Sequence, residues 1–269
     1  MSNARDFENI DWGAKGPTEF WSVADAIQQA TLEETDEMFA YLAQASANTL
    51  REILIQYRYF TVYYIPDLAL LVARLPDGPI RSFLAEILND ELGLGKPEQA
   101  HPRLYDDFLE SIGVDVSGLS DYALAGNIKL LDEARKHLAD PSRRGEYAVG
   151  LRGMGGECVC QIYIAQLHRY LVMNPYIRQL GHKVDWRFWD LHVGDHDIAH
   201  REHTRALIDR EIVQKGGEGL ISLGNGYAYS VGQWQAFWRH IFRLRALEGN
   251  SFTASRTGVR SFVDLAISQ

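Results

Sequence analysis

Four histidines, His192, His196, His200 and His203, recur at four-, four- and three-residue intervals in the stretch WDLHVGDHDIAHREH, residues 189–203. At roughly 100° per residue they share one helix face, within about 80° of one another. Imidazoles at this spacing are a standard way to present nitrogens to one metal ion, whereas a bare surface stripe of four would repel itself once protonated. Histidines alone suit zinc, copper or iron, so the carboxylates decide. Glu91 stands in LNDELGLG, residues 88–95, and His101 follows ten residues later across a glycine-containing turn. Glu157 ends the stretch GLRGMGGE, residues 150–157, whose glycines let other groups approach closely. A carboxylate among small and apolar residues must be paired or hold a cation, because burying it bare is costly. Arg152 is the nearest candidate for a plain ion pair with Glu157.

A ferritin-like di-iron layout needs a Glu-x-x-His pair on each of two helices. Only Glu98–His101 matches, and it lies just after Pro97 in a connection between helices. A di-iron centre here must therefore follow a different ligand layout.

The elements that position these residues read as helix almost throughout, with apolar residues at three- and four-residue spacing and short Gly, Pro or Asp breaks. The pattern predicts helices over about 32–44, 48–75 with a kink at Pro66, 80–92, a short one after His101, 123–138, 145–172, 186–214 and 231–247. Gly93 and Gly95 suit the left-handed backbone of a helix end. The glycines from 216 to 226 match no phosphate-binding fingerprint and read as a connecting loop. No strand alternation, fixed-period repeat or low-complexity tract is evident. The expected architecture is one all-α bundle at residues 31–269, preceded by an N-terminal extension over 1–30.

Composition narrows the function classes. Of 269 residues, 46% are hydrophobic and 23% charged, enough to fill a sizeable core and close to globular averages. Lys and Arg number 27 against 36 Asp and Glu, a formal charge of −9, so phosphate backbones and anionic membranes are poor partners. Cys158 and Cys160 point roughly 200° apart on a helix and cannot bridge each other there. With no disulfide framework, no leader pattern in the first twenty residues and no long apolar run, a cytoplasmic protein that neither spans a membrane nor binds nucleic acid is expected.

The stretch Asn89–Gly95 with His101, Leu104 and Tyr105, then Glu157 on a glycine-bearing helix, then the histidine-rich final motif, resembles the haem-oxygenase-like di-iron oxidases and oxygenases. The resemblance spans about residues 57–207. It implies a bundle of about seven core helices, three of which supply ligands in the order Glu, His, Glu, His, Asp, His. Glu91, His101 and Glu157 match the first three positions. The final pattern, His-x-x-x-Asp-x-x-His, is not reproduced in any register. His192, Asp197 and His200 fit if one π-bulge absorbs an extra residue, with His196 as a substitute or extra ligand. His196, His200 and His203 keep the spacing but replace the aspartate.

The resemblance further implies two Fe(II) ions, dioxygen as co-substrate, and oxidation of a small substrate, with Glu157 as the bridging group. An amino acid or similar amine-carboxylate is the expected substrate, with Arg152 and Trp189 as candidate contacts and Tyr63, Tyr64 and Trp186 as pocket walls. N-oxygenation, cyclisation or oxidative cleavage in specialised metabolism are the reaction types. The reading leaves room for an external electron donor, a reductase or ferredoxin, and for a homodimer. The alternatives are a metal-free member of the same fold, thiaminase-like or quinone-cofactor-forming, and a non-catalytic interaction protein.

Overall fold

The first helix, α1 (Trp12–Ala40), starts earlier than its apolar periodicity suggested, because Asp11 caps it by accepting from the Ala14 amide at 3.0 Å. It kinks at Gly16, whose φ of 62° admits no ordinary side chain without strain. Trp12, Phe20, Ala24 and Ile27 are buried, so the boundary drawn at residue 31 falls inside a helix that packs against the bundle. These features come from a computed structural model of the chain. It describes residues 7–247, apart from the side chains of Glu8, Ser120, Asp121, Gln161, 195–197 and 244–247.

Helix α2 (Ala47–Arg74) is capped by Ser46 and continues through Pro66, with Leu50, Ile53, Leu54, Tyr57, Leu68 and Leu71 in the core. It packs against α3 (Pro79–Glu91), α4 (His101–Ser111) and α5 (Ala125–Ala139). After α6 (Gly145–Ala148) the chain enters a π-helix over Val149–Cys158 and returns to α geometry in α7 (Cys160–Leu171). The periodicity had read this whole region as one helix. Short α8 (Pro175–Leu180) and α9 (Arg187–Val193) precede α10 (Asp195–Glu211) and the long α11 (Gly217–Leu247). No strand occurs among the described residues.

The glycine-rich stretch around residue 220 is helical, not the loop its composition suggested. Gly224 and Gly226 are contact points on α11: a Cβ on Gly224 would meet the Trp12 ring at 2.2 Å, and one on Gly226 the Tyr147 carbonyl at 2.1 Å. Gly150 answers from the π-helix, where a Cβ would lie 2.0 Å from the Leu223 carbonyl. Small residues on both sides thus let two backbones touch, which seats the π-helix between α11 on one side and α2 and α10 on another.

Candidate metal centre

Helix α3 ends at Glu91, and three successive residues beyond it, Gly93, Leu94 and Gly95, have φ of 85°, 53° and 83°. The Leu94 amide bonds back to the Asn89 carbonyl at 2.9 Å, closing the helix end. Gly93 is required twice over, since a Cβ there would also lie 2.3 Å from the Lys96 carbonyl. This tight reversal brings His101, the first residue of α4, back against the helix it left. His101 Nδ1 lies 2.9 Å from Glu91 Oε2, and its Nε2 lies 3.9 Å from Asp90 Oδ2.

The third group comes from α9. His192 is buried, its ring 4.7 Å from that of His101 and steeply inclined to it. Its Nδ1 lies 2.7 Å from the Phe188 carbonyl, which can only accept, so Nδ1 carries a proton and in the neutral ring the lone pair falls to Nε2. Ligand atoms of Glu91, His101 and His192 all lie within 4.8 Å of one another. One carboxylate and two imidazoles form a donor set that suits a divalent first-row ion such as iron, and the oriented His192 tautomer is the form a metal needs.

These side chains border a cavity of about 50 Å³, whose wall also holds Asp90, Glu157, His200, Tyr64, Thr61 and Cys160. Glu157 is held by the Tyr64 hydroxyl, which donates to Oε1. Burial, then the charges of Glu157 and Glu91, push the Tyr64 phenol well above its ordinary range, so it keeps its proton. Gly156 makes that contact possible, since a Cβ there would fall 2.5 Å from the Tyr64 oxygen. Cys158 is buried and its thiol is pushed up to about 12 by burial and by Glu157.

The structure thus brings Glu91, His101, Glu157, His192 and His200 to one cavity. The side chains of His196 and Asp197 lie outside the described residues. The bulge expected between His192 and His200 is instead a break at Gly194, with φ −83° and ψ 178° between α9 and α10. The shared face of four histidines is lost with it. His203 is exposed and stacks on Phe83 with ring centroids 4.2 Å apart, which removes it from the cavity.

Two weaker expectations fail. Arg152 does not face Glu157 but donates from Nε and Nη2 to Asp67 Oδ2 at 2.9 and 2.6 Å, where it satisfies a fully buried carboxylate on α2. Trp189 is wholly buried against Phe108, Phe188 and His168, as core packing. Of the other proposed walls, Tyr63 bonds to Asp132 at 2.8 Å, and Trp186 packs on His168. Sequence reasoning missed Asp90 as a cavity residue, although its place beside Glu91 was the available signal.

The fold and site together define a haem-oxygenase-like helical protein with a candidate iron centre. Residues 51–216 match the family of iron-containing redox enzymes, more than half of the chain, and the protein belongs to that family. Solved structures support the fold. A CADD-like protein of unknown function from Nostoc punctiforme aligns with TM-score 0.66 at 18% identity, covering 84% of this chain and 98% of its own. A domain of unknown function with a heme oxygenase-like fold from Shewanella denitrificans gives 0.65 at 14%, covering 88% and 96%. A TenA homolog from Pseudomonas syringae gives 0.65 at 12%, covering 90% and 98%. No curated protein sequence matches the chain. No helix among the described residues is long and apolar enough to cross a membrane.

Proposed function

We propose that the protein is a non-haem di-iron enzyme that uses dioxygen to oxidise a small, amine-bearing organic substrate. The observation that carries this reading is the convergence of Glu91, His101 and His192, with Glu157 and His200 bordering the same cavity. The first three would hold one ion. Glu157 and His200, with Asp197 or His196, would hold the second. Iron would supply the electrons that dioxygen activation requires.

The chain's own groups do the rest. Phe188 fixes the His192 tautomer through its carbonyl. Tyr64 holds its proton at Oη and directs it onto Glu157. Tyr57, Phe60, Ile164 and Phe188 line the cavity with apolar surface that excludes water. No Lys or Arg lines it among the described residues, and Asp90 adds negative charge. That favours recognition of a substrate through its ammonium group rather than through a carboxylate paired with Arg152, and an amino acid would be gripped by its amine.

The test is anaerobic Fe(II) reconstitution followed by oxygen uptake with a panel of amines, amino acids and fatty acids. Two irons per chain and amine-stimulated uptake, both lost in Glu157→Ala, are expected. One iron per chain would overturn the di-iron reading, and a chain that takes up no iron would favour an organic-pocket enzyme of the same fold.

A further inference from the structure

Arg152 opens a second question, because its partner Asp67 is also bound by Arg135, whose Nε lies 2.7 Å from Oδ1. One fully buried carboxylate therefore divides its charge between two guanidinium groups. Arg135 is a third exposed and shares its charge with solvent, but Arg152 is only 5% exposed. Its bonds to Asp67 use Nε and Nη2, so the Nη1 hydrogens have no carboxylate of their own. Arg135 also lies over the Tyr63 ring, whose hydroxyl binds Asp132, so two guanidinium groups and two carboxylates share this cluster, with Arg152 the innermost cation.

A cavity of about 20 Å³ adjoins this arginine, separate from the metal centre and sharing with it only Phe60. Its volume exceeds the roughly 10–15 Å³ that one water-sized occupant needs. One of its walls carries a buried polar atom without a hydrogen-bond partner among the described residues, Trp234 Nε1, on a side chain 4% exposed. The indole N–H can only donate. Ser230 adds a hydroxyl. A few donors on an otherwise apolar wall beside a buried guanidinium suit an occupant that only accepts.

We propose that this cavity is a binding site for a small monovalent anion of the size of chloride, held by Arg152, Trp234 and Ser230. Gly155 belongs to the same wall and precedes Glu157 by two residues, so the ion would brace the π-helix from behind the metal centre.

The experiment titrates sodium chloride or bromide into protein prepared in sodium gluconate, at constant ionic strength, and follows thermal unfolding. A saturable rise in Tm is expected, on the order of 5 °C at a hundredfold excess over Kd. Trp234→Phe, which removes the indole donor and keeps the ring, should weaken halide affinity about tenfold. Should that variant not fold, Ser230→Ala takes its place. Crystals grown in bromide should show anomalous density between Arg152 and Trp234. Equal Tm in chloride and gluconate, a halide response unchanged by Trp234→Phe, or a water without anomalous signal in the cavity would each overturn the proposal.

Discussion

Glu157 meets Tyr64 only because Gly156 has no side chain, so three residues from two helices act as one unit. Tyr64→Phe removes the donor and leaves a carboxylate short of a charge-assisted hydrogen bond at the cavity wall. The loss should be about 2 kcal/mol in urea unfolding of the metal-free protein. Gly156→Ala should move stability the same way, since a Cβ there would lie 2.5 Å from the Tyr64 oxygen and force it off Glu157. If Gly156→Ala is as stable as wild type, Tyr64 and Glu157 do not depend on each other. At this scale the sequence was legible where spacing is short. Glu91 and His101 were found because a glycine turn joins them, and Glu157 because a lone acid among glycines is conspicuous. Arg152 was misread because its partner Asp67 lies 85 residues away on α2, a distance that no local pattern bridges.

At the scale of elements, helical content was plain from the apolar period, but the π-helix was not. Its geometry comes from packing: α11 approaches so closely that Gly150 and Gly226 each lie against an opposing carbonyl. Nothing in the hydrophobic pattern of residues 145–172 distinguishes that from an ordinary helix. The break at Gly194 was hidden for another reason, because an isolated glycine is tolerated inside helices and the histidine period runs straight through it. That break lets α9 deliver His192 while α10 delivers His200. Packing also predicts opposite outcomes for two kinds of glycine. Gly150→Ala and Gly226→Ala push a methyl against backbone that cannot yield and should each cost about 1–3 kcal/mol. Gly232→Ala, in the same α11 but with no heavy atom within 4 Å of the added Cβ, should stabilise by up to about 1 kcal/mol. Equal effects at positions 226 and 232 in chemical denaturation would mean that the two backbones are not in contact.

For the whole molecule, acid should act in two ways that can be separated. His168, His240 and His137 are all held below the ordinary imidazole range, chiefly by burial. Their folded pKa values lie under their unfolded ones, so the unfolded chain takes up protons first as pH falls below about 6.5. The stability of the metal-free fold is therefore complete above that pH and declines beneath it, before the carboxylates paired with Arg144, Arg187 and Lys136 begin to protonate. Metal adds a second dependence. An ion that binds only the folded state raises Tm in proportion to the logarithm of its concentration over Kd. Binding requires the ligands to give up their protons, so this increment should itself shrink in acid. Tm measured with and without Fe(II) under anaerobic conditions should show two curves that diverge at neutral pH and converge as pH falls. In His101→Ala the metal-dependent gap should be largely gone, while the slope of the metal-free curve, set by histidines on α5, α7 and α11, persists. A gap that survives His101→Ala at full size would place the ion somewhere other than between Glu91, His101 and His192.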